Sequence, residues 1–274
     1  MHDTIPLMLA VILLIGIGAQ WLAWWTHLPA ILPLLAIGLL AGPITGWLDP
    51  DALFGQLLFP MVSLGVAVIL FEGALTLRVA EIRSQVRVVR NLVTFGALVN
   101  WLIIALATRF FTDLPWSLAL LFGALVSVTG PTVVVPLLRS VRPEREVANI
   151  LRWEGILIDP LGALLAVLVF EFTLSEQYQH TVLMFGATVI AGALFGWAGA
   201  WMLTLLLRRQ WLPDYLHRVA SLALVLSVFT LSNALAAESG LLAVTVMGLW
   251  LANSRNLVID DILDFKETLA LLLI

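Results

Sequence analysis

The sequence predicts an all-α integral membrane protein with about nine complete transmembrane helices, the start of a tenth, and its N-terminus outside. Three observations predict this. Of 274 residues, 61% are hydrophobic and only 12% charged, about half the charge of a soluble domain, so the chain cannot clothe a globule in polar surface. Apolar runs recur from end to end, with a mean hydropathy of +1.05; at about 20 residues per crossing plus short loops, the length allows about nine or ten helices and no water-soluble domain. The 14 basic residues, finally, sort into alternate loops. This composition excludes a disordered chain, a nucleic-acid binder and a collagen-like fibre. Cysteine is absent, and His2, His27, His180 and His217 fall at segment ends, too scattered for a metal cluster, so no cofactor is expected.

Taken in order, Met1-His2-Asp3 lacks the cationic start of a signal peptide, and the run from Ile5 to Trp25 has no small-residue cleavage site, so the first helix is retained. Breaks marked by charge, Pro or Gly then place helices near 5–25, 28–46, 56–77, 91–111, 116–138, 149–172, 181–207, 217–236 and 240–253. A tenth starts near Thr268 inside a run of Leu and stops at Ile274, which reads as part of something longer. Arg78, Arg83, Arg87 and Arg90 follow the third helix, and Arg139, Arg142, Arg145 and Arg152 the fifth. Arg208, Arg209 and Arg218 follow the seventh, and Arg255 and Lys266 the ninth, leaving Arg109 alone on the opposite side. Basic loops face the cytoplasm, which puts the N-terminus outside, and a miscounted helix would scramble the alternation. Trp47, Trp116, Trp153 and Trp211 fit an interfacial aromatic belt.

The seventh helix carries Gly192, Gly196 and Gly199, a step that lets helices touch backbone to backbone; internal packing is favoured over dimerisation. The segment from Ser254 to Glu267 alternates acids with apolar residues and suits an interfacial link. Glu72, Glu171 and Glu238 sit at helix ends, where an ion pair, a cap or solvent accounts for them.

Two helices carry chemistry. In the fifth, Thr129-Gly130-Pro131 falls near mid-membrane. Pro131 removes a donor and disfavours helix at Gly130, so backbone groups lose partners where there is no water, an arrangement that survives against protein or an aqueous cavity. A kink is one outcome; an ion site at a discontinuous helix is the other. The sixth helix holds Glu154 and Asp159. Asp159 lies a turn or more inside the membrane, where a carboxylate costs about 2.5 to 3.5 kcal/mol on insertion scales, so it is a functional candidate. Pro160 should break the local ladder and free the Ile156 carbonyl beside it. Five residues turn a helix by about 500°, so Glu154 and Asp159 point about 140° apart and do different jobs. Gly155, on Asp159's face, leaves room for a hydrated ion or for another backbone.

Gly38-Leu-Leu-Ala-Gly-Pro43, Phe71-Glu-Gly-Ala-Leu-Thr-Leu77, Thr129-Gly-Pro-Thr-Val-Val-Val-Pro136, Glu154-Gly-Ile-Leu-Ile-Asp159 and Glu238-Ser-Gly-Leu-Leu-Ala-Val244, in this order, resemble the bacterial sodium/proton antiporters of the monovalent cation:proton antiporter superfamily. The resemblance implies thirteen helices, two inverted six-helix repeats around the seventh, and a homodimer in the bacterial inner membrane. Residues 1–274 would then be one exchanger domain, incomplete at the C-terminus: a first repeat at about 5–172, a linker helix at 181–207 and part of a second repeat at 217–274. It also implies that the Thr129 backbone oxygen and Asp159 hold a monovalent cation or a proton, and that Glu154 pairs with a basic residue beyond Ile274.

The departures matter too. The family's Thr-Asp-Pro is Thr129-Gly130-Pro131 here, its Asn-Asp or Asp-Asp is Ile158-Asp159, and its frequent Ser is Gly155. With ligand oxygens missing, potassium gains on sodium as the cation. The expected function is a secondary active antiporter, not an enzyme. The alternative is a transport-inactive membrane sensor or scaffold with a degenerate site; an intramembrane hydrolase lacks a nucleophile with its base.

Overall fold

The computed structural model describes residues 4–130, 133–134, 137–138, 141–174, 178–209 and 213–254. Among them every regular element is helical: α1 (Thr4–Thr26), α2 (Ile31–Ile44), α3 (Leu58–Leu75), α4 (Val86–Phe111), α5 (Trp116–Val126), α6 (Arg145–Leu174), α7 (Tyr178–Arg208), α8 (Asp214–Leu235) and α9 (Ser239–Ala252). Six are long and apolar enough to cross a membrane, α3 counted with its lead-in from Pro50; α2, α5 and α9 are shorter. The expected tenth helix, the link from 255 to 267, Trp211, Arg139, Arg255 and Lys266 lie outside the described residues.

Local chemistry sets several ends. Asp49 Oδ1 accepts from the amides of Asp51 and Ala52 at 3.0 and 3.1 Å, with Pro50 at the first helical position, where its missing N–H costs nothing. Gly55, at φ 52°, then turns the chain into α3, a backbone angle that side chains disfavour. α2 finishes in a π-turn, Leu40–Ile44, around Pro43, and α4 holds another at Leu92–Gly96. The four arginines between α3 and α4 are all exposed, although Arg87 and Arg90, expected in a loop, already belong to the first turns of α4.

The core is built around α9. Its residues Ala243, Val244, Met247 and Leu251 are buried with Leu70 and Phe71 of α3, Leu203 of α7 and Val225 of α8. Small residues make this possible. A Cβ at Gly192 would lie 2.9 Å from the Ser239 carbonyl, one at Gly196 would collide with the Ala243 carbonyl, and one at Gly248 would lie 2.7 Å from the Phe71 carbonyl. Gly192 and Gly196 of α7 therefore serve contact with α9 inside this chain, the outcome the sequence favoured over dimerisation. Gly196→Val should destabilise the protein by about 1 to 3 kcal/mol through overpacking, read as a lower thermal midpoint in detergent; Gly186→Val, where the added Cβ meets open space, should change it far less. On the outer surface, large apolar side chains such as Phe110, 88% exposed, suit hydrocarbon.

Two expectations need correction. Pro160 does not break its helix: α6 runs continuously from Arg145 to Leu174 with Pro160 inside it. Proline still denies the Ile156 carbonyl its usual donor, but the packed neighbours of α6 keep the helix going. Trp153 is no belt residue either; it is 6% exposed and packs with Ile156, Ile158 and Leu77.

Candidate functional site

α5 stops at Val126, and Ser127 to Gly130 are not helical; Pro131 and Pro136 lie outside the described residues. A helix end leaves its last carbonyls without intrahelical donors, and three carbonyls along this stretch are met by separate groups. The Ser127 hydroxyl donates to the Ala124 carbonyl at 3.0 Å. The Asn100 side-chain amide, from α4, donates to the Ser127 carbonyl at 3.2 Å. The Gly130 carbonyl accepts from the amides of Val133 and Val134, both at 3.2 Å, so helical bonding resumes after an interruption of about one turn.

α6 lies against this interruption. Gly155, Asp159 and Gly162, spaced by four and three residues, share one helical face. A Cβ on Gly155 would meet Val134 Cγ2 at 3.1 Å and the Thr129 carbonyl oxygen at 3.6 Å, and a Cβ on Gly162 would overlap the Val128 side chain. The chain thus rests on α6 at two glycine notches, with Asp159 between them. The room beside Asp159 that Gly155 was expected to leave is taken by this backbone. Asp159 is half-buried and makes no hydrogen bond or ion pair among the described residues.

Glu154, about 140° round the helix from Asp159 by the same geometry, accepts a hydrogen bond from the Thr129 hydroxyl at 3.0 Å. Thr129 therefore has two separate oxygens in play, its hydroxyl turned to Glu154 and its carbonyl beside Gly155. Ile156 is buried, and its side chain fills the space beside Gly73 of α3. Ile158 is likewise packed in the core at 4% exposure, so the position where the resemblance implies a second polar group is here apolar.

The structure brings Thr129, Gly130, Glu154, Gly155 and Asp159 into one neighbourhood. Sequence reading missed Asn100, Val128 and Gly162. An amide inside the apolar run of α4 was the available signal for Asn100, and the seven-residue repeat from Gly155 was the signal for Gly162. Chemically, the Asp159 carboxylate on α6 and the Thr129 carbonyl at the neighbouring Gly155 are hard oxygen donors, the kind that suits a monovalent cation or a proton and not a soft metal.

A family model described as "Sodium/hydrogen exchanger, transmembrane" matches residues 7–274. The K(+)/H(+) antiporter NhaP2 of Shewanella baltica is 30% identical over 236 residues, 82% of this chain and 40% of the relative. The K(+)/H(+) antiporter NhaP of Alkalimonas amylolytica is 27% identical over 276 residues, 96% of this chain and 46% of the relative. The chain thus spans less than half the length of these relatives. The solved sodium proton antiporter MjNhaP1 from Methanocaldococcus jannaschii superposes with a TM-score of 0.81 at 24% identity, covering 99% of this chain and 68% of that one, a likeness of fold. By the extent of the family match, the chain belongs to the transmembrane family of sodium/hydrogen exchangers.

Proposed function

We propose that this chain is part of a secondary active antiporter that exchanges a monovalent cation for protons by alternating access, with Asp159 as the carrier. The observation that carries the reading is the placement of Asp159 between Gly155 and Gly162, where the interrupted α5 rests on α6. The carboxylate holds the cation or H+ but not both, and this competition is the coupling. The interruption after Val126 acts as the discontinuous helix of the family, whose carbonyls replace part of the ion's water. Glu154 holds Thr129 in place through its hydrogen bond and takes a basic partner from the remainder of the protein.

In this reading the N-terminus is outside, the basic residues face the cytoplasm, and the protein works as a homodimer in the bacterial inner membrane. The first inverted repeat covers about 5–172, the linker helix 181–207, and the second repeat begins at about 217. Potassium is favoured over sodium, because Gly130, Gly155 and Ile158 supply no side-chain oxygen, and the relatives named K(+)/H(+) antiporters are consistent with that choice.

The test is proton movement driven by a cation gradient in proteoliposomes of the full-length protein, compared with Asp159→Asn. One carboxylate at the carrier position also predicts one cation per proton. The initial exchange rate should then stay the same when a membrane potential is imposed on the vesicles, and a rate that follows the potential would show an unequal stoichiometry.

A further inference from the structure

We propose that Asn100 is a positioning residue of the cation site: by holding the Ser127 carbonyl it sets where the Thr129 carbonyl meets α6. The inference rests on the proposed exchange at Asp159. Ser127 follows directly on the end of α5, and its carbonyl is met by a side chain of another helix. The Ala124 carbonyl has the Ser127 hydroxyl and the Gly130 carbonyl has the amides of Val133 and Val134. The Ser127 carbonyl has the Asn100 amide, reaching across from α4 at 3.2 Å. In a bilayer an unserved carbonyl is costly, so this donor decides where the end of α5 comes to rest.

The neighbouring residue strengthens the argument. The Trp101 indole N–H donates to the Leu120 carbonyl at 2.9 Å, and Leu120 and Ser127, seven residues apart, lie on one face of α5. Between them, a Cβ on Gly123 would lie 3.0 Å from both the Trp101 carbonyl and the Ala105 amide. α5 is therefore seated on α4 at three successive points, with Asn100 as the last one before the link. From Ser127 it is two residues to the Thr129 carbonyl, which faces α6 beside Gly155. Asp159 sits on α6 and is untouched by Asn100, so loss of the amide should weaken cation binding and leave the carboxylate's proton exchange in place.

The experiment compares wild type, Asn100→Leu, Asn100→Ala and Asn100→Gln in the full-length protein, with Asp159→Asn alongside. Measured are the half-saturating potassium concentration, the maximal rate, the thermal midpoint in detergent, and hydrogen–deuterium exchange of the Phe122–Gly130 stretch. Asn100→Leu should raise half-saturation about three- to tenfold, the change expected from one lost hydrogen bond. Its maximal rate should stay near wild type, its thermal midpoint should fall by a few degrees because the Ser127 carbonyl loses its donor, and the amides of Val128 to Gly130 should exchange faster. Asn100→Gln, which keeps a donor, should recover part of the affinity. If Asn100→Leu accumulates poorly, Asn100→Ala carries the same comparison. Unchanged half-saturation in a folded donor-less variant overturns the inference while leaving Asp159's role standing. Exchange that persists in Asp159→Asn removes that role, and the positioning role with it, whereas the deuterium result still reads whether Asn100 clamps Ser127.

Discussion

Asp159→Asn is expected to reduce cation-driven proton flux in proteoliposomes to background while the protein still folds. Two arguments converge. A unit charge about 4 Å from a cation, at an effective dielectric of about 20, contributes about 4 kcal/mol, close to a thousandfold in affinity, and the amide can neither supply that charge nor take up a proton. Asn has the size and shape of Asp, and the carboxylate makes no ion pair among the described residues that the substitution would strand, so thermal stability should not fall. In wild type, the half-saturating cation concentration should rise as pH drops, since protons compete for the same oxygens. A variant that keeps wild-type flux, or a wild type whose cation affinity ignores pH, would remove Asp159 from the carrier role.

The different directions of Glu154 and Asp159 on α6 were legible in the sequence because helical geometry is rigid. A five-residue separation fixes Glu154 and Asp159 on different faces, and the structure accordingly gives Glu154 a partner in Thr129 and sets Asp159 between two notches. The small residues of α7 were equally legible, since close approach needs glycine whatever the partner. What a single sequence could not supply was which neighbour fills a given space. Gly155 left the choice between an ion and a backbone open, and only the three-dimensional arrangement puts Val134 and the Thr129 carbonyl there. The partner of Asn100 was not legible for a related reason: an amide in an apolar run signals a polar partner, but the carbonyl it serves lies 27 residues away. Pro160 was misread because proline's lost hydrogen bond is a local cost, whereas continuity of α6 is decided by the neighbours packed along it.

Gly130→Asp should shift cation preference toward sodium, by about tenfold in the ratio of the two half-saturating concentrations. Gly130 stands where α5 has ended and helical bonding restarts on its own carbonyl, so it sits at the positive, N-terminal end of the segment that follows. A carboxylate there is favoured by the helix dipole by about 0.3 to 1 kcal/mol, up to about 2 when partly buried, and a tenfold change is about 1.4 kcal/mol. The added oxygens would help sodium most, because the smaller ion holds its water more tightly and gains more from each replacement ligand. Adding Ile158→Asn, at another of the departures from the pattern that the resemblance implies, is the poorer experiment. Ile158 is packed among Trp153, Ile156 and Leu77, and an amide buried there without a partner costs about 1 to 3 kcal/mol, so the double variant would confound selectivity with stability. The single substitution falls at a half-buried position outside the helix. Sodium- and potassium-driven exchange should be measured in the same vesicles of full-length protein. If the ratio does not move, or if wild type already prefers sodium, then the charge missing from position 130 is supplied by another part of the protein and the site is not the oxygen-poor one described here.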